Sequence, residues 1–451
     1  MMVNYNLFSP TDELWIPKVP SHWKTTKIKY VFWERSEKGY PQEVLLVASQ
    51  NMGVVPKNVY GNRTVEPQKD LHLLKLVKQG DFVISLRSFQ GGIELAHYQG
   101  IISPAYTVMI PNSQITEGYA KYLFKSLPFI WLLQKCVTGI REGQNIDYRK
   151  LKNHKIPLPP RDEQDQIVRF LDWKVSTVNK LIAVRRREIE KFEELKRSRI
   201  GHLIMGQTEG IPQRDTKVSW VKSIPSHWSE KSLIQYAEEQ QIKNTGMAED
   251  NLLSLSYGKI VNKDINTTDG LLPASFEGYQ IVHDGNIILR LTDLQNDHKS
   301  LRTGLATQTG IITSAYTCLK ARTGILPEYL QLELHVADLC KVFYGMGGGV
   351  RQSIGFKDIR GMLIAIPPVE EQHHILELVH DMEDPINREI QKYREIISAL
   401  EDLKCRLIAD VVTGKIDVRD IEIPEYEFVE EIGTDETAED LDDIDDTENA
   451  E

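Results

Sequence analysis

Apolar residues recur every three or four positions over two long stretches of the chain. From about Asp162 to Met205 the seam reads Leu171, Val178, Ile182, Ile189 and Phe192, with Ile167 and Val175 on the same side. From about Glu370 to Val412 it reads Met382, Ile386, Tyr393, Ile397 and Leu400, flanked by Val379, Leu403, Leu407 and Val411. This spacing predicts two coiled-coil helices. At 1.5 Å per residue each is about 60 Å long, too long to pack within one small domain, so each needs a partner helix. Pro385 is expected to kink the second. Elsewhere short β-branched runs such as Phe82-Val-Ile-Ser and Ile287-Ile-Leu-Arg alternate with Gly and Pro, the pattern of a compact mixed α/β domain. Pro159-Pro160 and Pro367-Pro368 separate those domains from the helices that follow.

The same pattern occurs twice. Trp15-Ile-Pro-Lys-Val-Pro-Ser-His-Trp23 returns as Trp220-Val-Lys-Ser-Ile-Pro-Ser-His-Trp228, displaced by 205 positions. Gly100-Ile-Ile-Ser-Pro-Ala-Tyr106 returns as Gly310-Ile-Ile-Thr-Ser-Ala-Tyr316, and Pro159-Pro-Arg-Asp-Glu-Gln164 as Pro367-Pro-Val-Glu-Glu-Gln372. Collinear matches with small drift mean an internal duplication. The expected class is α+β. Residues 1–160 and 209–368 form two mixed domains, 161–208 and 369–420 the long helices, and 421–451 an acidic disordered tail.

Charge changes the picture only once it is mapped. The 451 residues carry a formal net charge of −11, which at first argues against a nucleic-acid partner. Residues 421–451, however, hold 15 acids and no base. The stretch 1–205 is +11 and 206–420 is −7.

The four cysteines, Cys136, Cys318, Cys340 and Cys405, form no Cys-x-x-Cys pair and suggest a reducing cytoplasm. No leader or membrane span is expected. Phosphate-loop, dinucleotide and His-Glu-x-x-His patterns are missing, so no catalytic or metal site is expected. The polar chemistry gathers instead in two loops per half. In the first half these hold Arg87, Ser88 and Gln90, followed by Gly91-Gly92, and then Arg141, Gln144 and Asn145. In the second they hold Arg290, Thr292, Gln295 and Arg302, then Arg351, Gln352 and Ser353. Arg reads guanine and Gln or Asn reads adenine in the major groove, and glycines allow close backbone approach to a ligand. The register changes of the duplication fall in these loops, as two different recognition surfaces require.

These residues carry a resemblance to the specificity subunit of type I restriction–modification systems. The resemblance spans about residues 10 to 420. It rests on the Pro-Ser-His-Trp openings, on Leu-Arg-Ser-Phe-Gln-Gly-Gly with the Ser-Pro-Ala-Tyr that follows, on the Pro-Pro-x-x-Glu-Gln pairs, and on Val412-Thr-Gly-Lys-Ile. It implies two target-recognition domains, each reading half of a bipartite DNA site. It also implies an antiparallel coiled coil that fixes the spacer, with no catalysis by this chain. The implied partners are two methyltransferase subunits and restriction/translocase subunits. S-adenosylmethionine, ATP and Mg²⁺ would be used by those partners, and this chain would bind no cofactor. The acidic tail lies outside the pattern; it solubilises the chain or competes with DNA phosphates for basic surface. Two other readings stay open: a coiled-coil interaction protein without sequence readout, and a self-contained DNA-modifying enzyme.

Overall fold

The computed structural model describes residues 4–60, 70–138, 145–207, 210–265, 275–292, 294, 301–346 and 353–429. The two long helices run Arg161–Ile204 and Val369–Val412, 44 residues each. Pro385 lies on the exposed side of the second, which continues through it as one helical element. The described residues fall into two compact units that do not coincide with the linear segments. The first takes the chain up to Arg187 together with the residues from Tyr393 onward; the second takes Glu188–Lys392. Each helix therefore gives its first half to one unit and its second half to the other.

In the first unit a four-stranded antiparallel sheet has the order Phe32–Arg35, Thr107–Pro111, Phe82–Ile84, Glu94–Leu95. Its apolar face packs on the helices Glu117–Lys125 and Leu127–Lys135, through Phe32, Phe82, Phe124 and Phe129 in edge and tilted contacts. The strand Lys155–Leu158 pairs with Lys24–Lys27 and leads through Pro159-Pro160 into the first long helix. Ile167, Phe170 and Leu171 of that helix share the core with Leu407, Val411 and Val412 of the second. Arg186 meets Glu401 at 3.3 Å and Arg185 lies over the Tyr393 ring. Moving back along one helix moves forward along the other, so the pair is antiparallel.

The second unit repeats this plan. Its sheet order is Ala237–Glu239, Thr317–Ala321, Asn286–Leu289, Thr303–Leu305. Leu363–Ile366 pairs with Ser229–Ser232 and enters the second long helix. Ile200 and Ile204 share the core with Ile375, Leu376 and Val379, and Lys196 bonds Asn387 at 3.2 Å, again antiparallel. Each unit also carries a β-hairpin, Leu46–Ser49 with Gly53–Pro56 and Leu253–Ser256 with Lys259–Asn262.

The seam residues differ in depth. Leu171, Val178, Ile182 and Ile386 are buried, and Ile189, Phe192, Met382, Tyr393, Ile397 and Leu400 are half-buried. Leu403, read as part of the apolar face, is 50 % exposed, whereas Ile390, passed over, is 3 % exposed. The spacing 386, 390, 393 continues the alternation of four and three, and that is why Ile390 points inward.

The tail does not begin where the acidity does. Gln166 donates to the carbonyls of Val418 and Ile421 (3.0 and 2.8 Å). Ser176 donates to the Glu427 carbonyl at 3.0 Å and accepts from the Val429 N–H at 2.7 Å. Residues 421–429 are thus held against the first long helix by backbone hydrogen bonds that sequence composition does not encode. Residues 430–451 lie outside the described set.

Candidate nucleic-acid interface

The repeated motifs turn out to join each domain to its long helix. In the first unit Glu163, in the first turn of the helix, is buried. It accepts from Trp23 Nε1 at 2.9 Å and from the Tyr5 hydroxyl, and His22 Nε2 lies 2.8 Å from its other oxygen. In the second unit Glu371 accepts from Trp228 Nε1 at 3.0 Å and faces His227 Nε2 at 2.7 Å. A carboxylate there also meets the positive end of the helix dipole. The following glutamines fix the same joint. Gln164 accepts the Thr116 N–H at 2.8 Å and donates to the Gln114 and Pro159 carbonyls (2.9 and 3.0 Å). Gln372 accepts from Leu326 N at 2.8 Å and donates to the Gly324 and Pro367 carbonyls (3.1 and 3.0 Å). Gly206 and Gly414 close the motif. A Cβ on Gly206 would lie 2.4 Å from Pro225, and one on Gly414 2.3 Å from Pro20, with the Trp228 and Trp23 rings beside them.

The polar loops divide into exposed and structural residues. After Phe82–Ile84 the chain makes one helical turn, Ser88–Gly91, with Arg87 and Gln90 exposed. Ser88, expected to face DNA, is buried instead: its hydroxyl accepts the Ser85 N–H at 2.9 Å and shapes the turn. Both glycines lie close to other parts of the protein. A Cβ on Gly91 would lie 2.5 Å from Gln50, and one on Gly92 2.4 Å from the Phe124 carbonyl. Beneath the turn Lys125 donates to the Gln50 carbonyl at 2.9 Å and to Glu94 at 2.5 Å. Burial pushes the Glu94 carboxyl up to about 7, against the pull of Lys125. This support was missed from sequence; an acid inside an apolar sheet strand was the available signal. Asn145 is exposed at the base of the second loop. Arg141 and Gln144 lie outside the described residues.

In the second unit Arg302 corrects the sequence reading. It is fully buried. Its Nε donates to the Tyr344 hydroxyl at 3.0 Å, and Nη1 to the Arg290 and Thr292 carbonyls (3.1 and 2.7 Å). Its backbone N–H goes to Asp338 at 2.9 Å. The reason is register. Arg302 directly precedes the strand Thr303–Leu305, where the first unit has Gly92 before its own outer strand, so the side chain enters the core and braces the loop from inside. Arg290 and Thr292 are half-buried and Ser353 is exposed. Gln295, Arg351 and Gln352 lie outside the described residues. Among the described residues no group of His, Cys, Asp and Glu could hold a metal ion, and no helix is long and apolar enough to cross a membrane.

Residues 20–191 match the family model for the type I restriction modification DNA specificity domain. The putative type I restriction enzyme MjaX specificity subunit of Methanocaldococcus jannaschii is 27 % identical over 150 residues, 33 % of each chain. The MjaVIII specificity subunit of the same organism is 26 % identical over 169 residues, 37 % of this chain and 38 % of that one. These matches span little more than a third of the relatives' length. A solved chain from work on complex assembly and conformational transition of the type I R-M system has the same fold. It superposes with a TM-score of 0.55 at 16 % identity, over 88 % of this chain and 99 % of that one. The matched domain is one of DNA specificity rather than catalysis. With the duplicated fold and the Pro-Ser-His-Trp and Glu-Gln joints in place, the chain is similar to the specificity subunits of type I restriction–modification systems, and residues 20–191 match the DNA specificity domain of that family.

Proposed function

We propose that the chain is the DNA-recognition and scaffold subunit of a type I restriction–modification complex. Each unit reads one half of an asymmetric bipartite site, and the paired long helices set the spacer. The observation that carries this reading is the duplication itself: two units share one sheet order and one domain–helix joint, yet display different loops. Equal scaffolds with unequal readers suit an asymmetric site, with half-site separation a geometric quantity. Arg87, Gln90, Asn145, Arg290 and Ser353 remain candidates for base or phosphate contacts, with Arg141, Gln144, Gln295, Arg351 and Gln352. Ser88 and Arg302 leave that set.

Residues 206–368 carry a net −1, little charge for neutralising phosphates alone. The reading therefore includes two methyltransferase subunits that complete the clamp, and restriction/translocase subunits docked on the assembly. S-adenosylmethionine, ATP and Mg²⁺ would act on those partners, with no cofactor on this chain.

The test is co-expression with the neighbouring methyltransferase and mapping of methylated adenines across a genome. A two-part motif with unlike halves and a constant gap is expected. Arg87→Ala should relax one half only, by about 1–3 kcal/mol per lost base contact. A palindromic motif, or equal relaxation of both halves, would overturn the reading.

A further inference from the structure

The two β-hairpins end beside the two recognition loops. In the first unit the three-residue tip Gln50-Asn51-Met52 joins Ser49 to Gly53. The Gln50 amide reaches the Arg87 carbonyl at 3.5 Å, and its side chain backs Gly91, so tip and loop form one surface. Ser49 Oγ accepts the Asn51 and Met52 N–H groups (3.4 and 3.3 Å), which shapes the turn and leaves the Asn51 side chain exposed. In the second unit the equivalent tip is two residues, Tyr257-Gly258, between Ser256 and Lys259. A Cβ on Gly258 would lie 3.2 Å from the Leu301 side chain, at the end of the loop that begins at Arg290.

Tyr257 has φ +46° and Gly258 +76°. A two-residue tip with both angles positive suits Asn, Asp or Gly; a Tyr there sets its Cβ against its own backbone. Its ring is 62 % exposed, so burial offsets little of that strain. Strain held at an exposed aromatic beside a recognition loop is the pattern of a functional tip. Lys259 is exposed next to it.

We infer that these tips contact DNA: Asn51 reads a base edge in one half-site, with Gln50 positioning it, and Tyr257 packs on a base or sugar in the other. The inference rests on the DNA-recognition reading above. A carboxamide matches the adenine N6/N7 edge, whereas an aromatic ring stacks or wedges without hydrogen-bond readout. The register difference thus separates a polar tip from an aromatic one, as unlike half-sites require.

The experiment uses the full chain co-purified with its methyltransferase, selecting from a duplex library randomised over both halves. Asn51→Ala should lose at least tenfold preference at one position of one half, and Tyr257→Gly at least tenfold affinity or preference confined to the other. Tyr257→Phe should restore most of the latter. Tyr257→Gly should leave the melting midpoint unchanged or higher, because the glycine relieves the strained φ. If Arg87→Ala alters selection but Asn51→Ala and Tyr257→Gly do not, the inference fails while the recognition reading stands. If the wild-type complex selects no sequence, both fail.

Discussion

The two units solve one backbone problem in opposite ways. In the first, the strand after the sheet carries Pro157, which has no N–H, and the facing helix presents an apolar Leu123. In the second, the equivalent strand position is Ala365, and its N–H is satisfied 3.2 Å away by Glu333 Oε1, at the helix position equivalent to Leu123. Both side chains are buried. Glu333 Oε2 has no partner among the described residues, and burial pushes this carboxyl up to about 8. A proline and a leucine therefore remove a need that an alanine meets with a buried glutamate carboxyl. Equivalent folds can hide unlike electrostatics, and the difference is set by whether one amide exists.

The sharpest contrast to break is the domain–helix joint. Glu163→Ala strands the Trp23 and Tyr5 donors in a buried site, so chemical denaturation should show a loss of about 3–5 kcal/mol. Glu371, 25 % exposed and with two facing donors, should lose less on the same substitution, about 1–3 kcal/mol. Equal losses would mean that the joints are not graded by burial.

The two arginines assigned alike from sequence should separate next. Arg302→Ala removes a buried brace and should cost roughly 3 kcal/mol of stability. Arg87→Ala, on an exposed turn, should change the melting midpoint within what about 0.5 kcal/mol allows, since surface changes are usually that small.

Glu333→Leu alone leaves the Ala365 N–H unpaired. Adding Ala365→Pro should recover about 1–3 kcal/mol, a coupling readable in a double-mutant cycle. The pH dependence has a definite sign. The folded-state carboxyl titrates above its ordinary 4.5, so its contribution is complete below about 4.5 and is lost as pH rises through about 8. Glu333→Gln should remove that decline, since its carbonyl still accepts from Ala365. A decline of the same size in the variant would assign it elsewhere.

The last contrast concerns the tail. Truncation after Val429 should leave the midpoint nearly unchanged, whereas truncation after Asp420 should lower it by about 1–2 kcal/mol, because Gln166 and Ser176 lose backbone partners. DNA affinity measured against salt with the first truncation then tests charge competition by residues 430–451 without disturbing the packed segment.

Much of the fold was legible from the residues. Heptad-like spacing and the Pro-Pro stops placed the starts of both long helices within a residue of the observed ones, because helix periodicity and proline sterics are local. The duplication was legible because Pro-Ser-His-Trp and Glu-Gln recur in order. Their role was not legible: His22 and Trp23 are far from Glu163 in sequence and meet it only through packing. The exposure of the candidate polar residues was half legible. Arg87 and Gln90 stand exposed at a loop that Gly-Gly marks, but Arg302 and Ser88, with the same polar chemistry, face inward.

The sequence by itself determined the elements, their duplication and the family resemblance, since those depend on local propensity, period and motif order. Tertiary structure alone decided which polar side chain is a buried brace and which stands exposed. That choice depends on strand register, where one position turns a side chain from surface to core, and on which backbone amides and carbonyls the fold leaves to be satisfied.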